Sequence, residues 1–131
     1  MPAWRSAGAG SFTNSGGFTN SGAVSGTVAL LGAGSVNNQA GGRIEGDLAG
    51  ISGGAGSNVI ANAGTITASN TAGIAMALTS GQISNTGSAA TIRGGLNGVS
   101  FSGTGTVTNS GTIQGIANAG VALGGGGQLY Q

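Results

Sequence analysis

A chain of 131 residues with 31 glycines, 4% charged residues and no histidine or cysteine departs from ordinary globular composition. A formal charge of +1 with no lysine excludes the basic footprint of a nucleic-acid binder, and the lack of cysteine excludes disulfides, thiolate metal sites and thiol catalysis. Low charge and a mean hydropathy of +0.24 argue against disorder, while glycine without a collagen period and a single proline exclude the triple helix.

Residues 1–11, MPAWRSAGAGS, break the pattern that follows and are expected to form an irregular segment or cap, with Trp4 and Arg5 plugging or fraying at one end. They hold no apolar run of signal-peptide length, so any export signal is expected outside this chain. No later stretch reaches the ~18 apolar residues of a membrane helix; runs such as VALL (28–31) and IAMAL (74–78) are strand-sized.

From residue 12 to residue 131 the chain reads as one repeat domain. An apolar-x-Asn tripeptide recurs as FTN, FTN, VNN, IAN, ISN and VTN, ending at Asn14, Asn20, Asn38, Asn62, Asn85 and Asn109. From Asn20 the steps are 18, 24, 23 and 24 residues, a solenoid-like period of about 22 residues. After each Asn comes a glycine, with Gly22, Gly64, Gly87 and Gly111 as the predicted turn glycines and a delayed Gly41 in the VNN unit.

Next in each unit is an apolar residue between polar ones: AVS (23–25), RIE (43–45), TIT (65–67), TIR (91–93) and TIQ (112–114). A Gly-led third segment follows, GIS, GIAMAL, GVSF or GVAL, and a Gly-rich turn closes the unit. Every segment alternates with period two, which is the signature of strand, and interior glycine costs a helix ~1 kcal/mol relative to alanine. The expected fold is all-β: a single-stranded parallel β-helix, or β-solenoid, of about five coils with three short strands per coil, stacked ~4.8 Å apart.

The Asn of each marker lies two residues after an apolar side chain, so it shares the inward face. An unpartnered buried amide costs roughly 1–3 kcal/mol. Stacked coils offer a remedy, since Asn above and below can pass donor and acceptor along a ladder. The six Asn are therefore expected to be structural, with the glycine after each accepting positive φ at the turn.

Chemistry-bearing groups are few. Glu45, Asp47, Tyr130 and three arginines are the titratable side chains, which excludes Ser-His, Cys-His and Lys-based nucleophile systems. In RIEGD (43–47), Arg43 and Glu45 flank Ile44 on the outer face and are expected to form a surface ion pair rather than part of a glycan-cleaving carboxylate pair. GGAGSNV (53–59) is similar to one calcium-binding nonapeptide but has Asn58 where a carboxylate is needed, and reads as a plain turn. The outer columns mix Ala, Ser, Thr, Arg, Glu and Gln, unlike the regular Thr array of an ice-binding face. No catalytic residue, metal site or cofactor is expected, and no small-molecule substrate.

The stretches GSNVIANAGTITASNTAGIAMALTSG and GTGTVTNSGTIQGIANAGVALGGGG, with the pattern V-x-N-x-G-x-I-x-G, resemble the passenger repeats of bacterial autotransporter (type V secreted) adhesins; NAGTITAS (62–69) is also similar to filamentous haemagglutinin-like repeats, which use two-partner secretion. The resemblance implies a right-handed β-helix on a Gram-negative cell surface or secreted from it. The family's signal peptide and membrane barrel are not in this chain, so it is expected to be a piece of a longer solenoid whose partners are flanking coils, with end-to-end self-association at an uncapped end. The function expected is that of a non-enzymatic spacer or stalk. The alternative is a module binding a host glycan or surface protein through its outer face, and a fragment of a polysaccharide-cleaving β-helix comes third.

Overall fold

A computed structural model describes residues 11–14 and 16–131; the expected cap around Trp4 and Arg5 lies outside them. In chain order the strands are β1 (Ser11–Asn14), β2 (Gly17–Asn20), β3 (Ala23–Ser25), β4 (Thr27–Leu30), β5 (Ser35–Asn38), β6 (Arg43–Gly46), β7 (Ile51–Gly53), β8 (Ser57–Asn62) and β9 (Thr65–Ala68). They continue with β10 (Ile74–Leu78), β11 (Ser80–Asn85), β12 (Thr91–Gly94), β13 (Asn97–Phe101), β14 (Gly105–Asn109), β15 (Thr112–Gly115), β16 (Val121–Leu123) and β17 (Gly127–Tyr130).

Each strand pairs in parallel with the strand three places on, which wraps the chain into three sheets: β2-β5-β8-β11-β14-β17, β3-β6-β9-β12-β15 and β1-β4-β7-β10-β13-β16. The result is an all-β solenoid of about 5 turns, about 23 residues each, with no helix among the described residues. Strands this short cannot bury an apolar face alone. Stacking supplies the missing surface, because each coil covers the side chains of the one below.

The register makes that stacking regular. Val24, Ile44, Ile66, Ile92 and Ile113 are successive partners in one sheet. Phe18, Val36, Ile60, Ile83, Val107 and Leu129 follow one another in the second, and Val28, Ile51, Met76, Val99 and Val121 in the third. Ile44, Ile51, Ile66 and Ile92 are fully buried, each contributing about 1.5–3 kcal/mol through the apolar area it removes from water. A slip of one residue would turn every one of these outward.

One marker falls outside the scheme. Asn14 ends β1, whose register partner is Leu30 of β4 in the third sheet, so it does not occupy the column formed by the other five Asn residues. The two FTN tripeptides are alike in sequence but only six residues apart. That is too short for a whole coil, and the first of them completes a different face.

Candidate functional site

The inner column of asparagines comes first. Asn20 Nδ2 donates to Asn38 Oδ1 at 2.9 Å, Asn38 to Asn62 at 2.8 Å, Asn62 to Asn85 at 2.7 Å and Asn85 to Asn109 at 2.8 Å. Every rung donates toward the C-terminal coil. The second amide hydrogen is shared between the rung's own corner and the next coil: Asn62 Nδ2 lies 3.0 Å from Gly64 O and 3.3 Å from Thr91 O. Asn38, Asn62 and Asn85 are at most 1% exposed, so the ladder converts a desolvation penalty into coil-to-coil bonds.

The corners come in two forms. Asn20, Asn62 and Asn109 enter short corners, in which Oδ1 accepts the backbone N–H two residues on, from Gly22, Gly64 and Gly111. Asn38 and Asn85 enter longer ones closed by a turn, Gly42 N to Gln39 O at 2.8 Å and Ala90 N to Gly87 O at 3.0 Å. The stacked corner positions are therefore Gly22, Gly42, Gly64, Ala90 and Gly111, linked by Arg43, Thr65, Thr91 and Thr112 N–H groups that donate to the carbonyls of the coil below.

Gly87 sits in the longer turn with φ +104 and open space around it, while Ala90 takes the position stacked between Gly64 and Gly111. One expectation is corrected. Gly22, Gly64 and Gly111 do not have positive φ. What Gly64 needs is absence of a side chain, since a Cβ there would lie 2.6 Å from Gln39 O and 2.9 Å from Asn38 Nδ2.

Two further inward asparagines escaped the sequence reading. Asn58 is fully buried inside β8 and not in a turn; its Oδ1 accepts Gly34 N–H at 3.1 Å, while its Nδ2 has no partner. The alternation Asn58, Ile60, Asn62 carried the signal. Asn97, buried in β13, accepts Ala119 N–H at 3.1 Å.

The outer surface carries the expected ion pair. Arg43 Nε and Nη2 both donate to Glu45 Oε2, at 2.9 and 2.6 Å, from the exposed face of β6. A pair this exposed contributes roughly 0–1 kcal/mol. Asp47 follows in the next loop, where Asn70 Nδ2 donates to it at 3.4 Å. No three His, Cys, Asp or Glu side chains cluster as metal ligands among the described residues.

Arg43 and Glu45 also form one side of a cleft of about 470 Å³. Its floor is the outer face of β6, β9 and β12, where Glu45, Thr67 and Arg93 are successive register partners. Ser69, Thr71, Ile116 and Ala117 also line it. The triplet pattern gave these side chains an outward direction, but the cleft depends on the loop 69–73 and on how far Ile116 stands out.

Compared with family models, curated proteins and solved structures, the chain shows no match. The geometry thus defines a class by fold, a parallel β-solenoid with an internal Asn ladder.

Proposed function

We propose that this chain is a non-enzymatic structural segment, a spacer or stalk within a bacterial surface-exposed adhesin of the autotransporter type, with a right-handed coil and flanking coils as its neighbours. The observation that supports it most is the unbroken ladder from Asn20 to Asn109, which adds a directional bond to each coil-to-coil contact where an apolar core alone would slide. Charges are sparse, and both carboxylates already hold hydrogen-bonding partners on the surface.

The spacer reading is tested by pulling the full chain end to end in single-molecule force spectroscopy. Coils should peel off in discrete steps of roughly 80 Å, the extended length of one coil's residues, and a featureless collapse would overturn it. Antibody labelling of intact producing cells checks surface exposure. Hydrolysis of a polysaccharide, lost in Asp47→Asn, would replace the non-enzymatic reading. A second reading, in which the outer face binds a glycan or a host protein, is favoured by the cleft beside Arg93.

A further inference from the structure

Where the third sheet hands the chain on to the next coil, two columns of residues meet at the corner. The strands of the third sheet end on Leu30, Gly53, Leu78, Phe101 and Leu123. The sheet that follows opens on Gly34, Asn58, Gly81, Gly105 and Gly127, stacked in that order. Four coils thus set a large apolar side chain in the first column and glycine in the second. Room is the reason: a Cβ on Gly34 would lie 3.2 Å from Leu30 Cδ2, and one on Gly105 would run into the Phe101 ring. At Gly53 and Asn58 the order is reversed. A Cβ on Gly53 would lie 2.6 Å from Asn58 Nδ2, so the amide fills space that Leu or Phe fills elsewhere.

The reversal coincides with three shortages. Asn58 is fully buried and its Nδ2 has no partner, an unmet donor where a leucine would leave none. β7 and β10 share two register pairs, Ile51–Met76 and Ser52–Ala77, against three between β4 and β7 and four between β10 and β13. The backbone bond just past the strand is also missing. Gly54 N–H donates to Leu30 O at 2.9 Å, Ser102 N–H to Leu78 O at 3.0 Å and Gly124 N–H to Phe101 O at 2.7 Å, but Thr79 N–H makes no such bond to Gly53 O. The rest of the coil is intact, with Asn62 bonded to Asn38 and Asn85 and Ile60 and Ile66 buried.

We infer that the corner of Gly53 and Asn58 is a weak joint built into the solenoid, at which β7 and β10 part ahead of the other interior coil contacts while the Asn ladder holds. Local opening in a folded chain starts where buried apolar contacts and backbone bonds are fewest, and here both run short at one corner of one step. In a rod of otherwise similar coils, such a joint sets where bending begins. It goes beyond the spacer reading and needs no assignment of what the solenoid carries or touches.

Residue-resolved amide hydrogen exchange on the full chain, corrected for intrinsic rates, tests this. Gly50 N–H donates to Ala75 O at 3.0 Å across the step between β7 and β10. Val28 N–H, bonded to Gly50 O at 2.8 Å, reports the step below, and Leu96 N–H, bonded to Gly73 O at 2.8 Å, the step above. Gly50 should exchange about tenfold faster than either, the factor that one unmet buried hydrogen bond is worth in an opening equilibrium. Equal protection at the three amides would overturn the joint. The double variant Gly53→Leu with Asn58→Gly restores the order of the other coils and should slow Gly50 to the rate of Val28. Gly53→Leu alone, which presses on Asn58, and Asn58→Gly alone, which leaves the corner unfilled, should each quicken it. A double variant in which Gly50 still exchanges as fast as in the unaltered chain would also overturn the joint.

Discussion

The inward column at the first corner and the outward column of the neighbouring sheet are built from the same coils and behave in opposite ways. Inside, Asn20, Asn38, Asn62, Asn85 and Asn109 repeat one chemistry at every level, and each amide is bonded to the next. Outside, the equivalent positions run Ser25, Glu45, Thr67, Arg93 and Gln114, with no two alike. A buried column must be uniform because each rung's partner is a copy of itself. A solvated column is free to vary, so its departures from regularity are where recognition can be placed.

That contrast can be broken or sharpened by substitution, measured as shifts in urea denaturation. The largest effect belongs to the core: Ile66→Ala should lose about 2–5 kcal/mol through lost burial and the cavity left behind, whereas Thr65→Ala next to it, facing outward, should stay within about 0.5 kcal/mol. Asn85→Ala comes second. It leaves Asn62 without its acceptor in the coil above and Asn109 without its donor, at a cost of roughly 1–3 kcal/mol; an unchanged midpoint would dispose of the ladder as a stabilising device.

Asn58→Ala should cost less, about 1 kcal/mol, because the amide nitrogen of Asn58 has no partner to lose and only the bond from Gly34 N–H disappears. If Asn58→Ala proved as damaging as Asn85→Ala, stacking of identical amides would not be the source of the difference. The smallest change is Arg43→Ala, expected at roughly 0–1 kcal/mol since the pair it breaks is exposed on both sides, and shrinking further as salt is raised.

Much of the fold was legible because two independent periods coincide. Alternation along AVS, RIE, TIT, TIR and TIQ gave strand and facing, and the step of the Asn marker gave the coil. The same marker misled at Asn14, because a local tripeptide does not reveal which sheet it joins. Glycine misled at Gly22, Gly64 and Gly111, which lack the positive φ that Gly87 has: counting glycines after each Asn could not distinguish a position that needs positive φ from one that lacks room for a side chain. Gly42 and Ala90 are recognisable as corners only through the carbonyls that the next coil's N–H groups seek out.

The sequence by itself determined the strand class, the inward and outward faces, the coil length and the ladder residues from Asn20 onward, since all follow from periodicity in a chain whose burial pattern alternates. Only the tertiary structure decided the register that joins one coil to the next, the one-way sense of the amide bonds, the unpartnered Nδ2 of Asn58 and the cleft that Ile116 helps to line. These depend on which atoms meet across neighbouring coils, some 18 to 24 residues apart for the rungs of the ladder. A repeat states that such neighbours exist but leaves their geometry to the stacking.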